Sequence, residues 1–387
     1  MFLVYLYIKY HKMIERILEK TILKKLNKGK VIILIGARQT GKTTLLKNLC
    51  KKYKHPLWLD ADEPEVKSVL ESASVASLKR LFKSKDVVII DEAQRIKNIG
   101  IKLKLCADHI PDIQVIATGS SSFELANEVN EPLTGRKWEY QLHPISYTEM
   151  VTNTDLISER SLLQERMIFG YYPEVVNAEK ESIPILKSLS DSFLYKDILM
   201  WDKIKKPDKV LKLLQALAFQ IGNQVSYHEL GQIVSLNNET VEKYLVLLEQ
   251  SYIIFRLPSF SRNLRNELKS SRKIYFYDNG IRNALIANYN SLDMRQDVGA
   301  LWENFLMAER RKYLDYKQIT CNKFFWRNHA QNEIDYIEER NGAIYAYEFK
   351  WSEKAKTKFA TAFINSYKPK EMNIISKNNF EDFIFMD

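Results

Sequence analysis

Residues 31–44 read Val-Ile-Ile-Leu-Ile-Gly-Ala-Arg-Gln-Thr-Gly-Lys-Thr-Thr, and this stretch decides the fold class. The unbroken apolar run 31–35 predicts a strand buried on both faces, because a covered parallel strand shows no alternation. Gly36, four residues, Gly41, Lys42 and Thr43 then follow in the spacing of a phosphate-binding loop. Glycines at both ends let successive backbone N–H groups turn towards an anion. A helix beginning near Lys42, with Leu45, Leu46 and Leu49 on one face, adds its positive end. On this reading Gly36, Ala37, Arg38, Gln39, Thr40, Gly41, Lys42, Thr43 and Thr44 contact a nucleotide. The Lys42 ammonium neutralises β- and γ-phosphates, and the Thr43 hydroxyl holds Mg²⁺.

The partner of such a loop is a second apolar strand ending in acid, and residues 86–94, Asp-Val-Val-Ile-Ile-Asp-Glu-Ala-Gln, supply it. Open parallel sheets bind their ligands at the carboxyl ends of the strands. There Asp91 would join the Mg²⁺ shell and Glu92 would polarise a water for attack on the γ-phosphate. Residues 57–60 predict another strand, and 113–117 a fourth that runs into Thr118-Gly-Ser-Ser-Ser, where Thr118 or Ser120 would sense the γ-phosphate or cap the next helix. Leu133-Thr-Gly-Arg136 presents Arg136 as a candidate finger for transition-state charge. A finger acting in trans requires a neighbouring subunit, so a homo-oligomer is among the assemblies this reading allows. ATP and Mg²⁺ are the expected cofactors.

These motifs, Gly-Ala-Arg-Gln-Thr-Gly-Lys-Thr-Thr, Ile-Asp-Glu-Ala-Gln, Thr-Gly-Ser-Ser-Ser and Leu-Thr-Gly-Arg, resemble the AAA-type ATPases of bacteria and archaea, whose C-terminal half is a domain of unknown function. Gly-Tyr-Tyr-Pro-Glu at 170–174 and Tyr-Lys-Asp-Ile at 195–198 fit the same family. The resemblance covers nearly all of the chain after the first dozen residues and implies ATP binding.

Charge and cysteines bound the rest. A formal charge of +10 on 387 residues favours a polyanionic partner, DNA among them. The three cysteines, Cys50, Cys106 and Cys321, form no Cys-x-x-Cys pair, so they read as thiols of a reducing cytoplasm. No run reaches the roughly 18 apolar residues of a membrane span, and no membrane partner is expected. The apolar start, 1–8, reads as an extension ahead of Met13. Residues 14–26 predict an amphipathic helix and 65–82 mostly helix.

Past a helical connector at 151–208, read as a lid over the nucleotide, residues 209–280 predict a winged helix-turn-helix. Ser226-Tyr-His-Glu229 is a capping box, Val241, Tyr244, Leu245 and Leu248 stripe a third helix, and 252–257 and 273–277 alternate as two strands. Glu239, Glu242 and Glu249 face out on that third helix, against phosphate contact. The connection between the strands carries Arg262, Arg265, Lys269, Arg272 and Lys273 instead, so a basic wing is the better nucleic-acid contact and protein docking is the alternative.

Residues 324–327, 333–339 and 343–351 predict strands, with Asn341-Gly342 as a two-residue type I′ loop. That loop sets Asp335 opposite Glu348 and Glu333 opposite Lys350, all on one face. Facing carboxylates destabilise a sheet unless a cation or a proton joins them. A divalent metal on Asp335 and Glu348, with Lys350 stabilising charge on a phosphate and Glu303 as a further carboxylate, would be a catalytic set. This arrangement resembles metal-dependent nucleases with an aspartate followed by Glu-x-Lys on the next strand. The expected fold is therefore α/β: a P-loop NTPase parallel-sheet domain (13–150), the connector (151–208), the winged helix (209–280) and a restriction-endonuclease-like domain (281–387). The expected function is an ATPase coupling nucleotide state to a nuclease-like module. The rival is an ATP-dependent switch or scaffold that binds protein or DNA without cleaving it.

Overall fold

A computed structural model describes residues 13–120, 129, 131–178, 180–192, 206–261, 272–352 and 359–385. The apolar runs form the middle of a parallel five-stranded sheet: β1 (Val31–Ile35), β2 (Pro56–Asp60), β3 (Val87–Asp91), β4 (Gln114–Gly119) and β5 (Lys137–Gln141), ordered β2-β3-β4-β1-β5. Every residue of β1 and β3 is buried, so neither strand shows alternation. Ile33 and Ile35 enter a core on one face, Ile32 and Leu34 a core on the other. The register places Leu34 beside Thr118 and Asp60 beside Asp91, which gathers the polar residues that end the strands at one edge. Edge strand β5 is absent from the expected elements, although its residues, Lys137-Trp-Glu-Tyr-Gln141, alternate with period 2 and pack Trp138 and Tyr140 against the core that holds Ile32 and Leu34. The helix expected over 14–26 is Ile17–Leu23, and 65–82 divides into Pro64–Glu71 and Val75–Leu81.

The middle of the chain holds three helices, Pro207–Phe219, Tyr227–Val234 and Asn238–Gln250, beside a short antiparallel sheet. Its strands β6 (Gln224–Val225), β7 (Ile254–Pro258) and β8 (Arg272–Phe276) are ordered β6-β8-β7. Ser226 and Asn237 cap the second and third helices by accepting the N–H groups of Glu229 and Thr240 at 3.3 and 2.8 Å. Glu239 and Glu242 are exposed as expected, whereas Glu249 pairs with Arg256 at 2.6 Å. Arg262, Arg265 and Lys269 lie outside the described residues. Lys273 corrects the sequence reading. It was expected on a basic surface, and it is buried among carboxylates.

The last part places the Val298–Tyr316 helix against a mixed sheet of β9 (Asn322–Arg327), β10 (Glu333–Arg340), β11 (Ala343–Phe349) and β12 (Glu371–Ile375), ordered β12-β11-β10-β9. Tyr336 lies opposite Tyr347 and Arg340 opposite Ala343, with positive φ at both Asn341 (49°) and Gly342 (76°). This is the register that a two-residue type I′ loop requires. The paired residues end at Tyr336 and Tyr347, short of Asp335–Glu348 and Glu333–Lys350. On the other side of β10 the register with β9 breaks between Ile334 and Ile337, and Glu333 sits opposite Arg327. One apolar core runs from Ile33 and Ile90 through Tyr147 and Trp302 to Tyr336 and Phe383, joining the first sheet to the last. Among the described residues no helix is long and apolar enough to cross a membrane.

Candidate nucleotide site and C-terminal carboxylate cluster

The loop between β1 and the Lys42–Cys50 helix is shaped by its glycines. Gly36 has φ +151°, and a Cβ there would lie 2.2 Å from the Leu142 carbonyl oxygen, so only glycine fits. Gly41, φ +95°, caps the helix. The buried Lys42 curls back over the loop, its Nζ donating to the carbonyls of Gly36 and Ala37, each at 2.8 Å. Thr40 is buried, while Gln39, Thr43 and Thr44 are exposed. At the neighbouring strand end the Thr43 hydroxyl donates to Asp91 Oδ2 at 3.1 Å, and the Thr118 hydroxyl donates to Asp91 Oδ1. The Glu92 N–H donates to Thr118 Oγ1 at 3.1 Å. Hydroxyl and carboxylate oxygens are the hard donors Mg²⁺ takes, alongside water and phosphate. Thr43 and Asp91 thus fit the ion, which would supply charge neutralisation on the phosphates.

Glu92 follows β3 in a left-handed conformation (φ 51°), which carries its carboxylate out of line with the strand. Gln94 donates to that carboxylate and also to Ser120 Oγ at 3.2 Å. Gln94 therefore orients the group read as the general base, a role the sequence reading does not assign.

A second feature lies outside every motif. Arg16 is buried, and its guanidinium donates to the Thr40 carbonyl (2.7 Å), the His143 carbonyl (2.6 Å), Glu149 Oε1 (3.1 Å) and Tyr316 Oη (3.4 Å). Beside it opens a cavity of about 900 Å³, walled by Met13, Gly41, Thr44 and Asn48 on one side and by Pro173, Asn177 and Ile185 on the other. Its size and its contact with the start of the Lys42–Cys50 helix suit a nucleoside whose phosphates lie on the loop. The far wall comes from the connector read as a lid.

Residues 28–151 match the family model described as an AAA domain, and residues 160–292 and 298–383 match two models each described as a domain of unknown function. An uncharacterized protein of Mycobacterium tuberculosis is 24% identical over 328 residues, covering 84% of this chain and 71% of its own. One of Methanocaldococcus jannaschii is 24% identical over 353 residues, covering 83% and 75%. The solved structure of a Walker-type ATPase of Pyrococcus abyssi has a similar fold, with a TM-score of 0.51 at 15% identity over 72% of this chain and 97% of its own. Residues 28–151 are thus similar to an AAA domain and share the fold of that Walker-type ATPase.

Within the ATPase domain Arg136 is not where a finger on the same chain's nucleotide would be. Its carbonyl accepts the N–H of Val31, at the amino end of β1, and its guanidinium pairs with Asp108. The phosphate loop leaves the carboxyl end of β1, roughly 15 Å away at the rise of a five-residue strand. The assignment of Arg136 to its own nucleotide site is therefore corrected. Its strand runs parallel to β1, so the turn before it falls at the opposite edge of the sheet.

Beyond the ATPase domain the structure gathers the four C-terminal candidates. Lys350 Nζ lies 3.0 Å from Glu348 Oε2 and 3.8 Å from Asp335 Oδ2, and the Phe349 N–H donates to Asp335 Oδ2 at 2.8 Å. Glu303, on the Val298–Tyr316 helix, accepts the Tyr275 hydroxyl at 2.6 Å and the Lys273 ammonium at 3.0 Å. Lys273 also pairs with Glu333 at 2.5 Å. Burial works against charge on Lys273, but Glu303, Asp335 and Glu333 outweigh it and hold its pKa above the ordinary lysine value. Among the described residues no group of three or more histidine, cysteine, aspartate or glutamate side chains is disposed to hold a metal ion. The metal role expected of Asp335 and Glu348 does not fit the cluster as it stands, because the Lys273 and Lys350 ammonium groups already sit against its carboxylates.

Burial, then the Asp335 charge, pushes Glu348 up from 4.5 to about 7, with Lys350 opposing. A carboxyl with a raised folded pKa binds more protons folded than unfolded in that window. Its contribution to stability is present below the unfolded value and lost as pH rises through about 7. Glu348→Gln is accordingly expected to melt above the parent chain at pH 8 and level with it at pH 5. An equal difference at both pH values would assign the effect to packing rather than charge.

Proposed function

We propose that this chain binds ATP–Mg²⁺ on Gly36 to Thr44, hydrolyses it with Glu92 as general base, and passes its nucleotide state to a nuclease-like C-terminal module. One observation carries the coupling. The Val298–Tyr316 helix holds Glu303 near one end and grips the ATPase domain along the other. Glu309 accepts the Tyr147 N–H at 2.8 Å, Lys312 donates to the Ile145 carbonyl at 2.9 Å, and Asp315 bonds His143 Nε2 at 2.8 Å. Tyr316 touches Arg16, and Arg16 holds the carbonyl of Thr40 inside the phosphate loop. Thirteen helical steps carry the chain from Glu303 to Tyr316, about 20 Å of rigid rod. A shift of the loop on filling would reach the carboxylate cluster through this rod.

The three helices and sheet of the middle part are read as a winged helix, the candidate DNA contact. In this reading Asp91 and Thr43 hold the metal, Thr118 senses the phosphate through Asp91, and Arg136 would serve only a second copy of the chain. The test is ATP turnover titrated with single- and double-stranded DNA, repeated with Asp315→Ala/Tyr316→Ala. DNA is expected to change turnover several-fold in the parent chain and to lose that effect in the variant. Indifference of the parent chain to DNA would move the choice to the second reading, an ATP-dependent switch or scaffold that does not cleave. The exposed Glu239 and Glu242 on the third helix favour that alternative.

A further inference from the structure

We propose that Lys273 is a built-in counter-cation, delivered by strand β8 of the middle unit, that keeps the C-terminal carboxylate cluster closed to divalent metal. The proposal rests on reading that cluster as nuclease-like, and it adds the element that would hold the cluster inactive.

The geometry is that of an occupied cation position. The Lys273 side chain is 2% exposed, and its Nζ stands 3.0 Å from Glu303 and 2.5 Å from Glu333. Asp335 lies near enough to add to the field that favours its charge. A divalent ion bridging these oxygens needs them at about 2.0–2.6 Å, in space that the ammonium now fills. Lys350 takes the other flank, between Asp335 and Glu348. Four carboxylates, Glu303, Glu333, Asp335 and Glu348, are thus met by Lys273, Lys350 and Arg327, the last 3.5 Å from Glu333.

The lysine does not belong to the elements that carry the cluster. Period-2 alternation on β8 sends Lys273 and Tyr275 to one side, where both hold Glu303, and Ile274 and Phe276 to the other, into the core of the middle helices. The ammonium is therefore fixed by a strand whose back is anchored in another unit. The register break between Ile334 and Ile337 is what turns Glu333 to meet it. Any movement of the middle unit that draws β8 back would take the cation out and leave like charges facing one another, which is the condition for recruiting a metal.

Mn²⁺ binding by the full chain without nucleotide, followed by the electron paramagnetic resonance of free Mn²⁺, tests this. Lys273→Gln is expected to bind Mn²⁺ at least ten-fold more tightly than the parent chain. That gain should vanish when Asp335→Asn is added, which separates it from metal held by Thr43 and Asp91. If Lys273→Gln does not fold, Lys273→Met, which keeps the apolar stem and loses the charge, should gain the same ten-fold. A folded variant of either kind without the gain overturns the proposal. So does Asp335-dependent Mn²⁺ binding by the parent chain equal to that of the variant. If the variant binds Mn²⁺ yet cuts no DNA or RNA, the counter-cation stands and the nuclease reading falls.

Discussion

Lys42→Ala is expected to reduce ATP affinity about 10²- to 10⁴-fold, to the point where binding is lost at ordinary concentrations. Hydrogen bonds to charged partners contribute about 1.5–3 kcal/mol each, and an ammonium set between β- and γ-phosphates makes about two of them, roughly 3–6 kcal/mol in all. The Lys42 side chain has little to search for. It already lies over the loop on the carbonyls of Gly36 and Ala37, so swinging towards phosphate exchanges two neutral acceptors for charged ones. Titration with a fluorescent ATP analogue measures the loss, and a thermal melt confirms that the loop's strand and helix survive. An unchanged affinity would remove Lys42 from the site and, with it, the phosphate-loop reading of residues 36–44.

Glu92→Gln separates binding from chemistry. A positioned general base contributes about 10²- to 10⁴-fold to rate, so turnover should fall by that factor while ATP affinity stays within a few-fold. The variant keeps the size of the side chain and its capacity to meet Gln94, so the water is still held but its proton has no acceptor. Filter-binding of labelled ATP after several parent turnover times should recover nucleotide that is bound and intact. If Glu92→Gln turns over at the parent rate, the base lies elsewhere, and Glu92 is only the left-handed hinge that ends β3.

The parts legible in the sequence are those where one local pattern forces one geometry. Continuous runs at 31–35 and 87–90 are apolar because both faces of β1 and β3 are covered. Asn341-Gly342 gives its hairpin away because both positions need positive φ. The phosphate loop declares itself because Gly36 has no room for a Cβ. What stayed hidden depends on distant neighbours. Arg16 is one arginine in a lysine-rich helix approach, and its partners are 24, 127, 133 and 300 residues away. Arg136 finds its place only once Lys137-Trp-Glu-Tyr-Gln141 is recognised as a strand parallel to β1, since that alone puts the turn before it at the far edge of the sheet. Lys273 looked like surface charge because four basic residues precede it in a short stretch. Only the fold brings Glu303 and Glu333 to it.

The grip of the Val298–Tyr316 helix on the ATPase domain bears on how the chain can be divided. Ending it after residue 297 would remove the partners of the Tyr147 N–H, the Ile145 carbonyl and His143 Nε2, and one of the four that hold Arg16. It would also uncover the apolar core that Leu301, Trp302, Phe305 and Leu306 share with Ile33 and Ile90, where fully burying one such side chain contributes about 1.5–3 kcal/mol against an ordinary domain's margin of about 5–15 kcal/mol. The spans that match separate family models are thus joined in stability, and the ATPase domain should not persist as a free fragment.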